Sequence, residues 1–576
     1  GFYFEQLYIN GERRFRAQTP DRGEFHFVRN VTETVLDKET GVPAIQKIDI
    51  YPSDFSLLDR IGNDESGDAL VVFYHKWDIT RRHIQSINRS DSAFYITGRM
   101  MKPWNPLDNK TRYHVENYRG ALDSPGEWFL SRDGYLYYIP LEGETIEGIE
   151  CLAPVTEKFI VIEGDKTNER RVDNIRFENL CFRVAGYNTP FQGNEPAQAA
   201  SPVEASVMVG FAQNIEFINC EVAHTGLYAI WFREGSLNCV VRRCHLHDLG
   251  AGGVKIGELQ IPEDSSEVTS QITIDNNIIQ HGGYVFPCAV GVIVHHGSDN
   301  VIFHNDIANF RYSGVSVGWV WGYAFSPSKR NRIEFNHIHH LGWGELCDMA
   351  GVYTLGPSEG TIVHNNVVHH VFDFEYGGWG LYFDQGSSYI VMENNLVYRC
   401  RDAGFDINFG KENIVRNNIF AFNLSGQLRF GRVEGHKSFS FIHNIVIYNQ
   451  GVLFKNSFGR DRWLKANVAI DSNCYWNIAD PTPYVHLEMR FPEWQKYGRD
   501  NHSLFADPLF KDPQNLDFTF KSQRVIKKIG FKPFDYSKAG VYGDQDWIAL
   551  SKLQPELIQE FDAAVLRNRY TENPTY

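Results

Sequence analysis

One short pattern, hydrophobic-x-x-Asn followed by a branched apolar residue, recurs through the middle of this chain and limits what it can fold into. It reads NIRFENLCF from Asn174, NIEFINCEV from Asn214, QITIDNNII from Gln271, NVIFHNDIA from Asn300 and NRIEFNHIH from Asn331. It continues as TIVHNNVVH from Thr361, YIVMENNLV from Tyr389, NIVRNNIFA from Asn413 and FSFIHNIVI from Phe439. The matching positions are Asn179, Asn219, Asn276, Asn305, Asn336, Asn365, Asn394, Asn417 and Asn444, with Arg243 filling the place after Asn219. Their intervals are 40, 24, 33, 29, 31, 29, 29, 23 and 27 residues. Within each unit apolar and polar residues alternate over four to six positions, which is the period of a strand and not of a helix. An all-β solenoid, the right-handed parallel β-helix, takes about this many residues per turn.

Stacked coils place equivalent side chains in ladders, so the repeated asparagines are expected to hydrogen-bond their neighbours above and below and to cap strand-to-turn transitions. The solenoid is assigned to residues 156–475. Residues 1–155 lack the pattern; EQLYINGERRFRA, SAFYITGRM and GEWFLSRDGYLYYIPLEGE read as short antiparallel strands joined by Asn-Gly, Asp-Gly and Gly-Glu turns, a β-sandwich-like module. Residues 476–576 read as irregular until a terminal helix, with Leu553, Leu557, Phe561 and Val565 on one face, expected to pack on the solenoid end.

Three successive units carry acids and aromatics that the others lack: GWGELCDMAGVYTLGPSEG, DFEYGGWGLYFDQGSS and CRDAGFDINFGKEN. Aligning Gly351, Gly380 and Gly404 puts Tyr353, Tyr382 and Asp406 at one position, with Asp384 and Asn408 two residues further on. If Val352 and Leu381 point inward, alternation sends all five outward on one face. Strand spacing then sets the Asp384 and Asp406 Cα atoms roughly 8 Å apart. A carboxyl pair beside aromatics suits glycoside hydrolysis, which needs one acid for the leaving oxygen and one carboxylate as nucleophile or base. Asp348 is the further candidate; it precedes its strand and has to reach back through a turn, for which Met349-Ala350-Gly351 is available. Glu345, Trp319, Trp321, Trp379 and His296, with its neighbour His295, complete the substrate-binding candidates. Each also has an ordinary structural reading, as a turn cap, a solvated charge or a stacked ring.

The strings DMAGVYTLG, YGGWGLYFDQGSS and FGKENIVRNNIF resemble the right-handed parallel β-helix glycoside hydrolases of family 141. LYINGERRFRAQTP, LDSPGEWFLSRDGYLYYIP and ADPLFKDPQNLDFTF extend the resemblance over most of the chain. It implies hydrolysis of plant cell-wall glycans, with α-L-fucosidase and xylanase as the associated activities, and its matching catalytic positions are Asp348 and Asp384. Three positions depart from the family's pattern: Gln385 stands where Glu is expected, and Asp406 and Asn408 stand where histidines are expected.

Other functions find little support. With 56 Lys+Arg against 71 Asp+Glu, the net charge of −15 disfavours nucleic acid. No apolar run approaches a membrane span, and there is no GxSxG, P-loop or strand-linked GxGxxG motif. The nine cysteines show no CxxC pair. The HIHH run at His337 and the pair His369-His370 read as turn positions in a ladder, so no catalytic metal and no cofactor is expected, although an acidic loop leaves room for structural calcium. The expected partner is a carbohydrate, met by a monomer or weak oligomer that is exported to reach it. A polysaccharide lyase and a non-catalytic glycan-binding solenoid are the competing readings.

Overall fold

The computed structural model describes residues 3–569 except residues 38, 40–42, 63–64, 66, 457–461, 483 and 487–488. Among the described residues, three long parallel sheets of 11, 11 and 12 strands run the length of a β-helix, each coil but the last contributing one strand to each sheet. The alternation read from the sequence fixes which residues face inward. Along the first sheet one register row runs Val207, Ile230, Val254, Val292, Val315, Val352, Leu381, Phe405, Leu428 and Phe454. All ten are buried, and each such side chain stabilises the fold by roughly 1.5–3 kcal/mol relative to exposure.

The inner asparagine ladder exists, but its register differs from the one counted in the sequence. The buried row is Asn277, Asn305, Asn336, Asn366, Asn395, Asn418, Asn444 and Asn473, in which each Oδ1 accepts the backbone N–H of the preceding asparagine. Each Nδ2 in turn donates to a main-chain carbonyl of the preceding coil, as Asn305 does to Ile274 at 2.9 Å. Asn179, Asn219, Arg243, Asn276, Asn365, Asn394 and Asn417 stand one residue earlier, where the backbone turns left-handed with φ between 51° and 57°. Asparagine tolerates that conformation better than most residues, so two neighbouring positions select the same residue for unrelated reasons. Cys220 and Cys244 continue the inner row towards the N-terminus, with the Cys244 N–H donating to Asn277 Oδ1. The coils also run past the last counted asparagine, through Cys474–Asn477 to Leu504–Phe505.

The N-terminal module contains a closed barrel, where a β-sandwich-like arrangement was expected. Strand Arg112–Glu116 pairs with His26–Val35 on one side and Leu70–His75 on the other, which closes the ring through Asp78–Asn88, Ala93–Gly98 and Ala44–Ile50. Closure removes the exposed strand edges. A separate five-stranded sheet flanks it. Leu70, Val72 and Ile79 of the barrel merge into the solenoid's apolar core. Helix Pro555–Arg567 packs Phe561 and Ala564 against Trp343, on the flank of the coils and not on their end.

Candidate active site

The outward row of the first sheet carries the candidate chemistry. Tyr353 pairs with Tyr382, Tyr382 with Asp406, and Asp406 with Arg429, so the alignment on the three glycines holds in space. Asp384 follows two residues after Tyr382 and is buried. Its Oδ2 accepts from the Tyr353 hydroxyl at 2.6 Å, and its Oδ1 accepts from the Tyr382 hydroxyl at 2.8 Å and from Asn408 Nδ2 at 2.9 Å. Burial, with the neighbouring carboxyl groups adding to it, holds both phenols well above their usual range, so they remain donors. Gln198 Nε2 donates to the Tyr353 hydroxyl at 3.1 Å from a distant coil.

Asp348 reaches the same group, but the turn that brings it there differs from expectation. Ala350–Thr354 is already strand, and the reversal sits on Asp348 itself, with φ 59°. Its N–H donates to the Tyr376 carbonyl at 2.9 Å, and its own carbonyl accepts from the Tyr312 hydroxyl at 2.8 Å. Gly377 lies against it at φ 112°, where a Cβ would come within 2.5 Å of the Asp348 nitrogen. The barrel clamps the same turn through the Cys347 N–H to the Lys76 carbonyl at 2.6 Å and Arg112 Nη1 to the Gly344 carbonyl at 3.1 Å. Asp348 Oδ1 is shielded from solvent without a hydrogen-bond partner. Burial, reinforced by the charge of Asp384, pushes the Asp348 carboxyl up to about 8.

Asp406 occupies a third environment. Arg429 Nη1 donates to its Oδ2 at 3.1 Å, while its Oδ1 is buried without a partner. Burial pushes this carboxyl up to about 7 although Arg429 pulls the other way. Arg429 is the cross-strand partner of Asp406 and also faces Asp402 at 3.7 Å. Trp379 is fully buried: its Nε1 donates to Asp402 at 2.9 Å and its ring packs on Tyr382 at 4.3 Å.

The remaining candidates fall in two other places. Trp319 and Trp321 belong to a loop over residues 318–329, held near Asp384 by the Gly322 N–H donating to the Gln385 carbonyl at 3.3 Å. Trp319 is buried edge-on between His295 and Trp321, whereas Trp321, Tyr323 and Phe325 are exposed. His295 and His296 are buried, and both ring nitrogens of His295 lack partners. Glu345 does not join the carboxyl group. It lines a cavity of about 110 Å³ between the barrel and the solenoid, with Arg16, Arg22, Tyr74 and Arg311, and its oxygen lies 3.7 Å from Arg311. Gln198, Tyr312 and the Arg429 pairing lie outside the three motif strings and Asp402, inside CRDAGFDINFGKEN, was not singled out there; stacking across coils exposes them.

A family model described as a right handed beta helix region matches residues 206–371 and 317–474. Among solved structures, one titled "Glycoside hydrolase" is 23% identical with a TM-score of 0.61, covering 72% of this chain and 77% of that one. A lacto-N-biosidase from Eubacterium ramulus (13% identity, TM-score 0.30, 48% of this chain and 45% of that one) also matches. So does a periplasmic alginate epimerase (11%, 0.33, 50% and 68%). No curated protein matches. The first similarity extends beyond the span of the repeat and shows that the fold is shared.

Proposed function

We propose that this chain is a glycoside hydrolase in which Asp348 is the general acid and Asp384 the nucleophile or base. The observation that carries the reading is the contrast between two carboxyl groups that share Tyr382 as a neighbour. One is half-buried, with one oxygen shielded and unpartnered, and keeps its proton up to about 8; the other accepts three hydrogen bonds. Environments that separate two carboxyl groups in this way assign acid and base roles. Protonation of the leaving oxygen by Asp348 and attack by Asp384, or by a water it deprotonates, are the two halves of glycosidic cleavage. Asp406, neutralised by Arg429, sits beside them as a positioning group. Exposed Trp321, with Tyr323 and Phe325, offers apolar ring faces to a sugar at the mouth. The resemblance to family 141 points to plant cell-wall glycans of the α-L-fucoside or xylan type as substrates, and a polymeric substrate implies export.

Time-resolved proton NMR with fucosylated, xylan-derived and uronate-containing oligosaccharides tests this. New anomeric signals are expected, and the anomer formed first assigns inversion or retention. Activity should fall as pH rises through about 8, because the acid loses its proton there. The vinyl proton of an unsaturated uronate would replace this reading with a lyase, for which Arg429 would supply the cation. Wild-type binding without turnover across the panel would replace it with a glycan-binding solenoid.

A further inference from the structure

Left-handed residues occur one at a time at the turns of the solenoid, and asparagine or histidine takes many of these places. Of the histidines read as turn residues in the sequence, only His340 and His370 hold one. Residues 197–200 depart from that spacing. Ala197, Ala199 and Ala200 have φ of 59°, 56° and 45°, and among the described residues no other stretch sets non-glycine residues in this region side by side. Ala197, with ψ −179°, lies where glycine alone is at ease. Asparagine can hydrogen-bond its own backbone in a left-handed turn; alanine has no such group, so its surroundings must impose the conformation.

Ser201, Tyr228 and Lys255 impose it. Ser201 Oγ donates to the Gln198 carbonyl at 2.9 Å, and the buried Tyr228 hydroxyl donates to the Ala199 carbonyl at 2.6 Å. Lys255 Nζ donates to the Ser201 and Val203 carbonyls at 2.6 and 2.7 Å and lies 3.5 Å from the centre of the Trp231 ring. Lys255 is fully buried, and both its hydrogen-bond partners are main-chain carbonyls instead of carboxylates. Burial pushes its amine well below the usual lysine range, but amine and ammonium alike carry the two N–H donors that the two carbonyls need. Packing alone favours an apolar side chain at such a place. Strand Val254–Ile256 sets Lys255 in the outward row of the first sheet, followed by Ile293, Ser316 and Tyr353. Three strand spacings put it roughly 14 Å from Tyr353. The chain from Val203 back to Gln198 crosses that interval, and Gln198 Nε2 donates to the Tyr353 hydroxyl at 3.1 Å.

We propose that Lys255 is a positioning residue for Asp384: it holds the turn at residues 197–200, the turn presents Gln198 to Tyr353, and Tyr353 orients Asp384. The direction of the last two bonds makes the chain of contacts work. Tyr353 gives its only proton to Asp384 Oδ2 at 2.6 Å, so the Gln198 N–H meets the lone pairs of the same hydroxyl oxygen. A donor on that side leaves Asp384 as the acceptor of the Tyr353 proton and polarises the bond between them. Without the clamp the alanines fall back to ordinary backbone, Gln198 withdraws, and the Tyr353 hydroxyl is free to turn away. The inference rests on the assignment of Asp384 as nucleophile or base. Lys255 acts through the turn and is not itself a catalytic residue.

Kinetics of Lys255→Met, Gln198→Ala and the double variant test this, on the oligosaccharide of the NMR panel that the wild type cleaves. Each single variant should lower kcat by about 10–100-fold and change KM by less than about twofold. The double variant should lose no more than either single one, because both act through one hydrogen bond. Amide hydrogen exchange over residues 197–203 should accelerate in Lys255→Met. Gln198→Ala alters only a part-buried side chain and reads the same step even if Lys255→Met folds poorly. Losses that multiply in the double variant, or wild-type kcat in Gln198→Ala, would overturn the proposal. So would wild-type kcat in Lys255→Met with accelerated exchange. In each case a large loss in Asp384→Asn leaves the hydrolase reading standing, whereas wild-type turnover in Asp384→Asn removes that reading and this one together.

Discussion

Two rows of side chains run along the same solenoid, one residue per coil, and they have opposite characters. The inner row repeats asparagine from Asn277 to Asn473, and each amide satisfies the next, with bonds of 2.9–3.3 Å. The outer row of the first sheet varies along its length, repeating only at the two tyrosines: Ser316, Tyr353, Tyr382, Asp406, Arg429, Lys455. Uniformity lets every polar group find a partner in an identical neighbour. Variation leaves some unpaired, and the partnerless oxygens of Asp348 and Asp406 lie in and beside the variable row. In a stacked fold, a break in the repeat is therefore where unpaired polar groups collect, and the proposed chemistry is placed there for that reason.

The largest effect expected from breaking the variable row is on turnover. Asp384→Asn keeps the volume and one acceptor oxygen, enough for the contacts with Tyr382 and Asn408, and replaces the oxygen that accepts from Tyr353 with an amide donor. It should lower kcat by about 10²–10⁴-fold while leaving the melting temperature and glycan affinity near wild type. Loss of binding together with turnover would make Asp384 a structural support for the tyrosines of that row.

Breaking the uniform row should do the reverse. Asn366 is fully buried; its amide donates to the Ile333 carbonyl and Asn395 Oδ1, and its oxygen accepts from Asn336 N and Nδ2. Asn366→Ala orphans several groups and should destabilise the chain by about 2–4 kcal/mol in denaturant unfolding. Asn365→Ala, one residue earlier at φ 57°, should lose only about 1 kcal/mol, for placing alanine in a left-handed backbone. Equal losses would mean that the two positions are not distinguished by the ladder.

That pair of neighbours also explains what was legible in the sequence. Period and alternation identified the solenoid and the outward face holding Tyr353, Tyr382, Asp384, Asp406 and Asn408, because both depend only on local spacing. The ladder was misregistered because an Asn-Asn pair such as Asn365-Asn366 serves both positions, while His304, Phe335 and His443 hold the left-handed place elsewhere. Barrel closure through Arg112–Glu116 was hidden because it depends on strands some forty to eighty residues away. Gln198 and Arg429 were hidden as site members for the same reason, since stacking across coils brings them to Tyr353 and Asp406. The turn at Asp348 depends on Gly377 in the next coil and on a clamp from the barrel.

The smallest effect tests whether strain is stored at Asp348. Its folded carboxyl keeps a proton to about 8, whereas an unfolded aspartate loses it near 4. Between those values the folded chain binds more protons than the unfolded one, so stability falls as pH rises through the window. Asp348→Asn removes the titration and should flatten that fall. Its melting temperature should match wild type near pH 4 and exceed it progressively up to pH 8, a gain of about 1–2 kcal/mol because the site relaxes as the group ionises. Asn366→Ala lowers stability without touching a titrating group and should run parallel to wild type over the same range. If the Asp348→Asn curve also runs parallel, the acid carries no stored cost, and the contrast between the two rows reduces to hydrogen-bond count alone.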